Sequence, residues 1–291
     1  MNKLEAVRDD LLARLADCDL CPRKCRVNRQ EGKLGFCRTG RLARVNSAFL
    51  HFGEEPEIIG NKGSGTVFFS NCNLDCNYCQ NEAISHIGEG KEISAQGLAQ
   101  IMLDLATQGA ENINLVTPTH VIAQIIEALA IAREKGLKLP IVYNSGGYDS
   151  PDILKIVEGM FDIYMPDIKY SDNAIAQRFS NAPDYWDVVR LAVREMFRQA
   201  GNLVVEGGAA KKGLLIRHLV LPNHLSGSMA VMDFIREEIS RDAYVNIMDQ
   251  YRPCAKAGQF PELNRMINRE EYREVVLYAS RIGLQRGFEK I

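Results

Sequence analysis

The sequence predicts an α/β fold of parallel strand–helix units behind a cysteine-rich N-terminal segment. Six short apolar runs alternate with amphipathic helical stretches, the pattern of a sheet covered by helices. Residues that cap or break helices punctuate the alternation. Polar motifs stand at the ends of the apolar runs, where the chemistry of parallel α/β folds gathers. Periodicity alone leaves a doubly wound sheet and a barrel both open.

Length and charge bound the reading. The chain has 291 residues, 46% hydrophobic and 25% charged, enough for one large domain or a domain with a small appendage. Its net charge of -2 gives no electrostatic reason to expect a nucleic-acid or anionic-membrane partner. A basic cluster at Arg23, Lys24, Arg26 and Arg29 reads as a solvated face. Met1 to Leu20 is charged throughout, without the apolar stretch of a signal peptide, and no window reaches the length of a membrane span. A cytoplasmic location is the expectation. There disulfides are rare, and grouped cysteines read as metal ligands or catalysts.

Leu4, Val7, Leu11, Leu12 and Leu15 fall at helical spacing. Pro22, Gly32 and Gly35 then predict turns through Cys37, and a looser segment runs to about Asn61. This divides the chain into a helix and four-cysteine segment, 1–60, and an α/β unit, 61–291. Strands are expected at Thr66–Ser70, Asn112–Val116, Pro140–Tyr143, Ile163–Met165, Leu214–Val220 and Val245–Met248. Ser94, Thr119, Ser150 before Pro151, and Ser226 are expected helix caps, with Gly136 as a helix end. Later helices are expected over Asp184–Gln199 and Arg269–Arg281.

Cys72, Cys76 and Cys79 directly follow the first expected strand. Three thiolates within eight residues can wrap one inorganic cluster and leave one iron of a cubane open. A closed structural site takes four ligands. A zinc knuckle borrowing a distant ligand is the plainer alternative, and His86 is the nearest candidate. Cys18, Cys21, Cys25 and Cys37 form a second group of four, suited to structural zinc or an auxiliary [4Fe-4S] cluster. Cys254 stands alone and reads as an unreactive thiol, with a catalytic role as the rival reading. Arg217 and His218 interrupt an apolar strand, which makes Arg217 a candidate for a carboxylate contact inside the fold.

The Cys-x3-Cys-x2-Cys loop, with Tyr78 before its last cysteine, resembles the radical S-adenosylmethionine (radical SAM) superfamily. The resemblance covers roughly Gly63 to Gly287. It is closest to an uncharacterised branch similar to pyruvate formate-lyase-activating enzyme, through Gly65–Cys72, Leu115–His120, Tyr143–Tyr148, Tyr164–Lys169, Ile216–Pro222 and Met248–Pro253. It implies a partial (β/α)6 TIM-like barrel and a [4Fe-4S] cluster whose open iron binds S-adenosylmethionine. One electron then cleaves the sulfonium, and the 5'-deoxyadenosyl radical abstracts a substrate hydrogen. An electron donor such as flavodoxin or ferredoxin is implied, and a protein glycine is the substrate of such activating enzymes.

Site roles follow from the same resemblance. Tyr78 lies beside the cluster. Thr117 and Thr119 stand where the family's Gly-Gly-Glu motif binds the methionine amino group, a departure that weakens transfer of the activating-enzyme subtype. Asn144 and Ser145 fall at the ribose position, Asp167 and Lys169 near the methionine carboxylate, and Arg217 and Val220 near carboxylate and adenine. Gln250, Tyr251 and Arg252 would face the substrate. A small molecule, a peptide or an RNA base are alternative substrates, RNA being disfavoured by charge. Two rivals of another class are an iron–sulfur electron-transfer protein and a zinc-binding module.

Overall fold

A computed structural model describes residues 3–289. In chain order the elements are α1 (Lys3–Ala13), β1 (Ala43–His51), α2 (Pro56–Ile59), β2 (Ser64–Phe69), β3 (Lys91–Ile93), α3 (Ala95–Thr107), β4 (Ile113–Val116) and α4 (Ile122–Glu134). Then come β5 (Ile141–Ser145), α5 (Pro151–Ile156), β6 (Ile163–Pro166), α6 (Asn173–Ser180), α7 (Tyr185–Ala200), β7 (Val204–Glu206), β8 (Ala209–Leu219), α8 (Ser228–Phe234), β9 (Tyr244–Met248) and α9 (Arg269–Arg281).

Six of these strands run parallel in the order β2-β4-β5-β6-β8-β9, each pairing with the next. They are the six expected from the apolar runs. The sheet is not closed, so the fold is a partial (β/α)6 barrel rather than a complete one. Helices of the crossovers cover the strands, and one apolar cluster runs from Leu11 of α1 and Leu15 just after it through Val67, Leu115 and Tyr143 to Val276 of α9. The N-terminal segment therefore shares the barrel's core.

Three antiparallel strands fall outside the expectation. β1 lies where a loose segment was expected and pairs with β2, while β3 pairs with β1. A register shift between Val45 and Ser47 breaks the two-residue alternation that would have marked β1 as a strand. β7 folds back on β8 through Gly207 and Gly208, both at positive φ, a two-glycine hairpin turn.

Two expected caps are corrected. Ser94 accepts the Gly97 amide as anticipated, and Gly136 takes positive φ just past α4. Thr119, however, does not cap α4: Val121 holds that position, and the Thr119 hydroxyl donates to Asp149 at 2.6 Å. Ser226 does not cap α8 either. Gly227 does, at φ 61, because a Cβ there would meet Ser171 Oγ at 1.8 Å. The basic cluster is corrected in part: Lys24 and Arg26 are exposed as expected, but Arg29 is only 1% exposed, and Arg23 stacks on Phe36.

Candidate active site

The three-cysteine loop leaves β2 through Asn71, whose φ of 70 turns the chain across the barrel mouth. Its amides at Asp75 and Asn77 donate to the carbonyls of Ser180 and Phe179 at the end of α6, which fixes the loop on the rim. Each sulfur has a polar neighbour. The Leu74 amide donates to Cys72 Sγ at 3.4 Å, the Ser180 hydroxyl donates to Cys76 Sγ at 3.0 Å, and Cys79 Sγ lies 3.0 Å from Ser85 Oγ. Burial pushes the Cys72 thiol up to about 12 and the Cys76 thiol up to about 11, the latter against the pull of the Lys169 charge. Burial thus favours the protonated form of the Cys72 and Cys76 thiols, and metal binding must displace those protons.

Among the described residues, no three or more His, Cys, Asp or Glu side chains are arranged to hold a single metal ion. A cubane sets each thiolate on a separate iron, and three thiols with donors at their sulfurs suit such a cluster.

Beside the loop lies a cleft enclosing about 760 Å³ of space, part of it open to solvent. Cys76, Tyr78 and Cys79 form one wall, and Asp167, Lys169 and Arg217 line it as well. The Asp167 carboxylate holds both cations. Oδ1 accepts from Arg217 Nε at 2.8 Å and Oδ2 from Lys169 Nζ at 2.6 Å. Burial opposes charge on Asp167, but the Arg217 and Lys169 charges outweigh it and hold the carboxyl below its ordinary value. Burial likewise opposes charge on Lys169, and Asp167 reverses the balance, so the ammonium stays charged.

Arg217 reaches further into the barrel. Nη2 donates to Asn144 Oδ1 at 2.8 Å and Nη1 to Glu54 Oε2 at 3.2 Å. The carboxylate partner expected for Arg217 exists, but it comes from Asp167 and from the Glu54–Glu55 segment before β2. Burial raises the Glu54 carboxyl despite Arg217.

The cleft brings together Cys76, Tyr78, Cys79, Asp167, Lys169 and Arg217 of the expected residues. Tyr78 is buried edge-on against Tyr170 and Tyr251. Asn144 instead orients Arg217. The side chains of Thr119 and Ser145, with Tyr143, converge on the buried Asp149 carboxylate at 2.6, 2.6 and 2.8 Å. Thr117 follows β4 at φ 62, rare for a β-branched residue. Val220 is buried, and its neighbour Leu219 faces the cleft. Cys254 and His86 are not among the lining residues, and His86 lies 3.5 Å from Asp75. The Tyr251 hydroxyl is bound to the Leu263 carbonyl, while Gln250 lines the cleft. Gln80 and Asn81, next to Cys79, line it too, and adjacency to the cysteine is their only signal in the sequence.

Residues 66–206 match the family model of the radical SAM superfamily. The chain is 30% identical over 300 residues to an uncharacterised protein of Methanocaldococcus jannaschii, covering 97% of this chain and 82% of that one. In fold it is similar to a radical SAM methyltransferase from Sphaerobacter thermophilus, with a TM-score of 0.55, 14% identity, and 78% of this chain matched to 66% of that one. It is also similar to SuiB of Streptococcus suis bound to the precursor peptide SuiA, with a TM-score of 0.51, 12% identity, and 75% of this chain matched to 46% of that one. The chain thus spans less than two thirds of each of these solved chains. The family model and the open barrel agree: the chain belongs to the radical SAM superfamily, whose enzymes use a [4Fe-4S] cluster and S-adenosylmethionine and draw on an electron donor.

Proposed function

We propose that Cys72, Cys76 and Cys79 are the three protein ligands of that cluster, and that the cleft beside them binds S-adenosylmethionine for hydrogen abstraction from a polypeptide glycine, in the manner of an activating enzyme. The observation that carries the reading is Asp167 bridging Lys169 and Arg217 in the cleft that Cys76 and Cys79 also line. When bound, the cluster supplies the single electron that cleaves the cofactor's sulfonium and releases a carbon radical.

The chain's residues bind and orient. Lys169 stays cationic beside the cysteines and meets the methionine carboxylate, with Asp167 fixing its direction. Tyr78 and Leu219 keep water from the radical. Gln80, Asn81 and Gln250 line the cleft with amides, and Gln80 Nε2 donates to the Gln250 carbonyl at 3.3 Å. Amide groups match the donors and acceptors of a peptide backbone, and SuiB, similar in fold, is described bound to a peptide.

The test is an anaerobic assay of the reconstituted protein with dithionite and S-adenosylmethionine. The expected product is 5'-deoxyadenosine, lost in Cys76→Ala. Absence of that product from the unaltered protein sinks the reading. For the substrate, glycine-containing polypeptides are added and the glycyl radical sought by electron paramagnetic resonance (EPR). Turnover with small molecules alone would overturn the polypeptide assignment.

A further inference from the structure

We propose that Cys18, Cys21, Cys25 and Cys37 hold a second [4Fe-4S] cluster that hands electrons to the first. All four thiols line one apolar pocket with Leu20 and Val27. The spacing has three close cysteines and one remote, unlike the two close pairs common in zinc ribbons.

The pocket is built for negative charge. Arg29, 1% exposed, donates to Cys18 Sγ at 3.8 Å and to the carbonyls of Gly40 and His120, and no carboxylate pairs with it among the described residues. A buried guanidinium requires a counter-charge, and bound thiolates supply it. The Phe36 amide donates to Cys25 Sγ at 3.4 Å, and amide donors also reach Cys21 and Cys37, from Arg23 and Thr39. Donors of this kind and a nearby cation favour a reduced cluster.

The pocket is tied to the first site on both sides of Cys72. Arg23 Nε donates to the Asn73 carbonyl at 2.9 Å. Asn71 Nδ2 donates to Thr39 Oγ1 at 3.0 Å, two residues from Cys37. His120, which lines the pocket, donates through Nε2 to the Ser70 carbonyl at 2.9 Å. Three bonds thus join Arg23 and His120 of the pocket's lining, and Thr39 beside it, to residues 70–73. A low-potential donor, a reduced flavin or iron–sulfur protein, loses one electron. The electron passes through the Cys18–Cys37 site to the Cys72–Cys79 site, with no bond made or broken. The direction of transfer rests on the functional reading above; the metal assignment does not.

Metal and sulfide analysis of the unaltered protein, purified without oxygen, tests the assignment. About eight irons and eight sulfides per chain are expected, two cubanes. About four irons with one zinc overturns it. The triple variant Cys72→Ala/Cys76→Ala/Cys79→Ala should keep about four irons and an EPR signal on reduction; if that signal persists while the unaltered protein makes no 5'-deoxyadenosine, the functional reading falls and the second cluster stands. In the fully reduced unaltered protein the same signal should broaden and relax faster through its neighbour. An unchanged line shape overturns the coupling between the sites.

Discussion

Ser180, the last residue of α6, donates its hydroxyl to Cys76 Sγ at 3.0 Å while sharing a 2.7 Å hydrogen bond with the Tyr170 hydroxyl. Both residues are buried. A hydrogen bond to a cluster thiolate stabilises the more negative, reduced state. Ser180→Ala should therefore lower the midpoint potential of the first cluster without loss of iron. Redox titration followed by EPR reads this directly, and an unchanged potential would show that the hydroxyl only supports Tyr170.

Asp167 sits between two cations, so the neutral variant Asp167→Asn leaves Lys169 and Arg217 facing each other. Breaking a buried pair by removing one partner costs on the order of 3–5 kcal/mol, and the remaining Glu54 contact places the expected loss near the lower end. The melting temperature should fall, and S-adenosylmethionine should bind more weakly by calorimetry because Lys169 is no longer held in place. A variant with full stability and weakened binding would assign Asp167 to the ligand alone.

Much of this site is legible in the sequence because its chemistry is local. The three-cysteine loop, Asp167 and Lys169 stand at strand ends that the apolar runs mark. The Arg217 network is not legible, because Glu54 is 163 residues away in sequence and joins it only through the fold. The same holds for Thr119 and Ser145. Their positions suit a ligand, but both serve Asp149, 30 and 4 residues away. β1 was hidden by its bulge and Arg29 by its basic neighbours. In each case a tertiary contact overrides a local pattern.

Thr117 carries a β-branched side chain at φ 62, where the left-handed region costs about 1–2 kcal/mol for a residue of this type. Thr117→Gly should relieve that strain and raise the melting temperature. If the strained turn shapes the cofactor site, the same variant should lose activity while gaining stability. A gain in both would show that the conformation serves only the chain's path out of β4.

Glu271 gives the fold a dependence on acid that is separate from the site. Its carboxylate accepts from Arg265 at 2.6 and 2.8 Å, from the Asn268 amide at 2.9 Å and from the Asn223 amide at 2.7 Å, closing the capping box of α9. The Arg265 hydrogen bond, above all, lowers its pKa from 4.5 to about 2. A carboxyl lowered in the folded state contributes stability above its unfolded value. That contribution is lost as pH falls from about 4.5 through about 2. Glu271→Gln should therefore cost on the order of 1–2 kcal/mol at pH 7, a cap plus a solvent-screened ion pair. The gap between variant and unaltered protein should narrow steadily below pH 4.5, as denaturant unfolding across that range would measure. A gap independent of pH would mean that the amide bonds, which glutamine can still accept, carry the cap without the charge.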